Sequence, residues 1–197
     1  MTHRKTFLAA LAVILSMATV ALAANPTVTY TAQGSFGSVI SGLDSFRLAN
    51  EPFIINVVAN DAQLTKTHGP TYADYGPLQL TGQVSSQLMP TPIIISNHAT
   101  FLLMTNGGYY NYDLFEIATK VNILAISLNI TAVIHLPKGT LTSIRNHPFG
   151  PVALTPDMAT MTYSDGTNST TLGINGTLVG VTNGARPLQQ LAAAPIF

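Results

Sequence analysis

The chain has 197 residues, a formal net charge of zero and only 8% charged side chains. It has no basic surplus with which to neutralise a phosphate backbone, which excludes nucleic acid as a partner, and its 47% apolar content is too high for a disordered chain. The absence of cysteine excludes disulfides, thiolate metal sites and cysteine nucleophiles, so stability must come from the core alone.

His3, Arg4 and Lys5 precede an apolar run from Phe7 to Val20 that closes on Ala21, Leu22 and Ala23. The pattern predicts a secretory signal peptide over residues 1–23, a secreted or periplasmic location and no membrane anchor after cleavage. Cleavage removes two of the eight basic residues, leaving six against eight acidic ones and a mature charge of −2. Residues 24–185 then form one domain, and 186–197 a flexible tail.

Nine stretches rich in β-branched and aromatic residues follow: 27–36, 53–59, 78–88, 100–104, 109–117, 122–136, 152–154, 160–163 and 171–181. None keeps a 3.6-residue period over three turns, so the chain is expected to be all-β. Turn signals punctuate the chain between such runs, among them Gly34, Gly42, Gly76-Pro77, Asn106-Gly107-Gly108, Asp165-Gly166 and Asn175-Gly176. The glycines after Asn106 predict a tight hairpin, and "SDGTNS" (Ser164–Ser169) predicts another between two threonine-rich runs. The segment from Asn60 to Pro77 lacks strand periodicity and reads as a long loop.

The clearest strand is "LAISLNITAVIHL", Leu124–Leu136, apolar at every even position and mostly polar or small between. Such alternation gives one dry and one wet face. A lipid-facing barrel would share it, but the chain has no Trp for interfacial girdles, several runs are too short to cross, and Pro195 breaks the alternation near the end. The reading is a single antiparallel β-sandwich of nine or ten strands, jelly-roll or Ig-like, with that dry face packed on Phe53, Ile55, Val57, Leu78, Leu80 and Val84. Thirteen extended residues make a long strand, so a bend or bulge is expected near Asn129–Ala132.

No motif carries chemistry. "GLDSF" (Gly42–Phe46) only loosely resembles an esterase motif, which Leu43 interrupts, and is a turn leading into a strand. His68, His98, His135 and His147 have no local zinc spacing. Asp113 and Glu116 fall on opposite faces of a strand, a poor acid and base pair. No catalytic residue, metal ligand or cofactor is assigned. The most suggestive cluster is "GGYYNYDLF" (Gly107–Phe115) with the loop tyrosines, because aromatic rings beside Asn or Asp commonly hold sugars. Tyr72, Tyr75, Tyr110 and Tyr112 are therefore the candidate ligand residues.

"NEPFIINVVAND" (Asn50–Asp61) and "TPDMATMTYSDGTNSTTLGI" (Thr155–Ile174) resemble stretches of exported bacterial proteins, including some with a PEP-CTERM sorting anchor. The Val-Pro-Glu-Pro sequence, the apolar C-terminal helix and the basic tail of such an anchor are lacking here. The resemblance implies export and a β-sandwich, with no activity to carry over. A non-enzymatic structural, adhesive or matrix role is the first expectation, and carbohydrate binding through the four tyrosines the second. The partners to expect are a polysaccharide, a cell-surface protein or a second copy of the chain.

Overall fold

A computed structural model describes residues 27–67, 69–104, 111–123, 126–145 and 148–183. The leader, the tail and the Asn106 turn expected from sequence lie outside them. Ten strands form: β1 (Thr27–Ser41), β2 (Pro52–Asn60), β3 (Leu64–Thr67), β4 (Tyr72–Val84), β5 (Ile93–Met104), β6 (Tyr112–Ile123), β7 (Ile126–Pro137), β8 (Phe149–Leu154), β9 (Ala159–Ser164) and β10 (Ser169–Asn183).

The all-β expectation holds and the sandwich does not. Eight strands pair in the ring β1-β2-β4-β5-β6-β7-β9-β10, and β10 pairs back onto β1 from Thr27↔Asn183 to Ser41↔Thr171. The result is one closed antiparallel barrel. β3 extends the edge of β4 beyond β2, and β8 pairs with β10 beyond β9. Closure explains why there are not two layers: an eight-stranded ring brings its own inner wall together, so alternation on every strand is satisfied by one interior.

Two apparent turn signals are what allow the closure. Gly34 and Gly176 lie mid-strand and face each other across the β1–β10 seam. A Cβ on Gly34 would sit 1.9 Å from the Asn175 carbonyl oxygen, and one on Gly176 would sit 2.1 Å from that of Gln33. The backbones approach more closely there than any side chain permits. Gly76-Pro77 is also inside a strand, where the β4–β5 register shifts between Tyr75 and Leu78.

The alternation of β7 is realised from Leu128 to Leu136, whereas Ile126 at its start is exposed and Leu124 lies outside the described residues. Leu128, Ile134 and Leu136 are buried inside, as are Phe53, Val57, Leu78, Leu80 and Val84 on the facing wall. The bulge expected near Asn129 is absent, because the long run divides between β6 and β7. Ile123 pairs with Ile126, and the register runs unbroken from there to Tyr112↔Pro137. The Asn60–Pro77 segment is structured in large part, forming a short 3-10 turn at Asp61–Gln63, β3 and the start of β4. "SDGTNS" is a hairpin closed by Ser164↔Ser169, with Asp165 Oδ1 accepting from the backbone N–H groups of Thr167 and Asn168.

Outside, the threonines and asparagines form cross-strand bonds. Thr31 donates to Asn56 at 2.8 Å, and Thr162 and Thr171 share a hydroxyl bond at 3.0 Å. The same exterior also carries exposed aliphatic side chains, among them Ile54, Ile94 and Val181.

Candidate functional site: an apolar cavity beneath a tethered cap

The barrel is closed at both ends by different means. At the end where β1 finishes and β2 begins, residues 42–51 fold over the opening and insert Phe46 and Leu48. Asp44 holds this cap from within: one oxygen accepts from the Ala49 N–H at 2.9 Å, and the other accepts from the Tyr163 hydroxyl on β9 at 3.0 Å. Three more bonds tie the cap to the rim. Thr170 Oγ1 donates to the Leu43 carbonyl at 2.7 Å, Ser86 Oγ to that of Phe46 at 2.6 Å, and the Gln87 N–H to that of Arg47 at 3.3 Å. The Phe46 ring meets the Tyr163 ring edge-on at 5.6 Å.

The other end is closed by residues 138–145. Asp113, fully buried on β6, accepts from the Leu141 N–H at 2.7 Å. The Tyr75 hydroxyl donates to the Ile144 carbonyl at 2.8 Å, and Arg145 lies 3.9 Å from Asp61. Here the interior is filled, with the Tyr30 ring packed between Phe115 and Phe149.

Beneath the cap the interior is not filled. A cavity of about 90 Å3 lies among Phe36, Phe46, Leu48, Phe53, Ile55, Ile95, Leu128, Ile130, Ala132, Met161, Ile174 and further aliphatic side chains. Among the described lining residues only Thr119 and Tyr163 carry a polar side-chain oxygen or nitrogen. Both are engaged: Thr119 Oγ1 donates to the His98 carbonyl at 3.0 Å, and Tyr163 to Asp44. The Tyr163 hydroxyl is a weaker acid than an ordinary tyrosine, chiefly because burial disfavours the phenolate, with Asp44 adding to the effect. A guest here meets hydrocarbon and no free hydrogen-bonding group.

The four tyrosines do not form one surface. Tyr75 is 1% exposed and serves the closure just described. Tyr72 and Tyr112 are half-buried on the outer wall, on strands that are separated by β5. Tyr112 stacks on His135 with ring centroids 4.1 Å apart, which covers one of its faces. The Tyr72 hydroxyl has its acidity weakened by burial and by Asp74. Tyr110 lies outside the described residues, as do His68 and His147. His98 is exposed on the outer wall. Among the described residues no three His, Asp or Glu side chains stand close enough to share a metal ion.

Sequence reasoning missed the cap. Its available signal was two large apolar residues, Phe46 and Leu48, in a stretch otherwise polar enough to read as a turn. Comparison of the chain with protein-family models, curated proteins and solved structures finds no match. Function therefore rests on the geometry of this chain alone.

Proposed function

We propose that the protein is an exported, non-enzymatic barrel that holds a small apolar molecule inside its closed wall. The observation that carries this reading is the unfilled cavity itself: it is lined by aliphatic and aromatic side chains, and each polar atom on its wall is already committed. A buried ligand group able to hydrogen-bond would be left unpaired, at a cost of about 1–3 kcal/mol, so the guest is a hydrocarbon or similarly inert molecule. A cavity of about 90 Å3 has room for roughly three water-sized groups. Apolar cavities of about 150 Å3 stay dry and take benzene or xenon, so the guest here is smaller unless Met161 moves aside. The signal-like leader supports export, and the engaged polar groups favour holding a guest over reacting with it.

Xenon and short hydrocarbons are the probes. Methyl resonances of Ile130, Met161 and Ile174 are expected to shift on xenon pressurisation or on adding cyclopropane, and Ala132→Leu, which fills the cavity, is expected to abolish the shifts. Unchanged interior resonances under both probes would remove the reading.

A further inference from the structure

We propose a second binding site, on the outer wall, for an acidic saccharide. The wall is hollowed where β5 and β6 separate. These strands pair from Ala99↔Thr119 to Met104↔Leu114, and beyond Ala99 the remaining β5 residues pair only with β4, as those of β6 beyond Thr119 pair only with β7. At the fork the Asn97 side chain spans the gap, donating to the Lys120 carbonyl while accepting from the His98 N–H. Immediately outside lies an open groove of about 350 Å3.

The register builds the groove as a grid. Thr100, Ala118 and Thr131 are partners across β5, β6 and β7. One outward position further along, Lys120 and Asn129 are partners on β6 and β7, with His98 in the same position on β5. Strand and residue spacings make this patch roughly 10 Å by 7 Å, the scale of one sugar unit with its substituents. Ala118, with only a methyl group, leaves the hollow. Among the described residues no hydrogen bond or ion pair engages the side chains of His98, Thr100, Lys120, Asn129 or Thr131. Two Thr and Asn pairs elsewhere on the barrel are bonded across strands. Here five polar groups without such a bond surround one hollow.

Their chemistry selects the ligand. Two hydroxyls, an amide and an imidazole match adjacent sugar hydroxyls, each able to donate and accept. Among the described residues no Phe or Tyr ring lines the groove, so a neutral sugar would gain mainly exposed hydrogen bonds. Lys120 supplies the one charge among the lining residues, suited to a single carboxylate. Glu116, one outward position below Ala118 on β6, disfavours any anion nearby, and a doubly charged phosphate monoester more than a singly charged carboxylate. A hexuronate unit fits these terms better than a phosphate ester.

The full chain, labelled for NMR, is to be titrated with an oligo-hexuronate, with the corresponding neutral oligosaccharide and with inorganic phosphate. The oligo-hexuronate is expected to shift resonances at 98–100, 118–120 and 129–131. Lys120→Ala is expected to weaken it about tenfold or more, and Ala118→Leu, which fills the hollow, to abolish it. Neither side chain is buried, so unchanged circular dichroism and melting temperature would show that each variant still folds. Equal response to phosphate would make this a general anion site and overturn the proposal. Equal affinity for the neutral sugar, insensitivity to both variants, or no response to oligo-hexuronate would each overturn it too.

Discussion

Asp44 and Asp113 do similar work at opposite ends of the barrel. Each carboxylate sits within the fold and accepts a backbone N–H from the segment that covers its end, Ala49 in one case and Leu141 in the other. A hydrogen bond to a charged group contributes about 1.5–3 kcal/mol, so Asp113→Ala is expected to lower unfolding stability by about 2 kcal/mol, read by denaturant titration. Asp113→Asn, which keeps the acceptor, should lose less. Tyr163 adds a pH dependence to the cap. Its hydroxyl ionises less readily in the folded chain than the ordinary value of 10.0, so the folded state keeps a proton that the unfolded state releases. The associated stability is full below about pH 10 and is lost as pH rises through the folded value. Tyr163→Phe should remove that part of the alkaline decline. It should also cost about 1 kcal/mol at neutral pH through the lost bond to Asp44.

For single strands, the alternation in β7 identified the inner face from Leu128 to Leu136, because a period of two admits only one division into faces. The same rule put Asp113 and Glu116 on opposite faces, and the structure shows that Asp113 is the inner one. Glycine was misleading for a physical reason: a missing side chain serves equally to turn the chain and to let two backbones cross, and local sequence does not distinguish them. Gly34 and Gly176 serve the second purpose. Gly176→Ala is expected to destabilise the barrel by at least about 2 kcal/mol, because the obstructing atom is the Gln33 carbonyl oxygen, which cannot move without breaking the seam. Gly150→Ala, with no atom within 4 Å of its added carbon, should change stability by less than about 0.5 kcal/mol. Thermal melting of the two variants compares them directly.

Taken as a whole, the molecule is a ring with a filled end and a hollow end, and the hollow has an energetic consequence. Cavity surroundings forgo packing energy at about 24 cal/mol per Å3, so a void of about 90 Å3 leaves about 2 kcal/mol unrealised. Ala132→Leu is expected to recover part of it, raising the melting temperature while blocking xenon. A variant that is both destabilised and still xenon-responsive would mean that the cavity lies elsewhere. The outer surface explains how so few charges suffice: threonine and asparagine pair across strands, leaving a wet exterior with little ionic content.

From sequence alone came the all-β class, the identity of the inward residues on β2, β4 and β7, and the hairpin at Ser164–Ser169, since each depends on neighbours within a few positions. Whether those inward faces would meet as two layers or as one ring was decided by the pairing of Thr27–Ser41 with Thr171–Asn183. That contact joins the two ends of the described chain, and strand alternation is identical in both architectures. The cap, the cavity beneath it and the groove outside the β5–β6 fork follow from closure. They are assembled from residues brought together only when the ring forms.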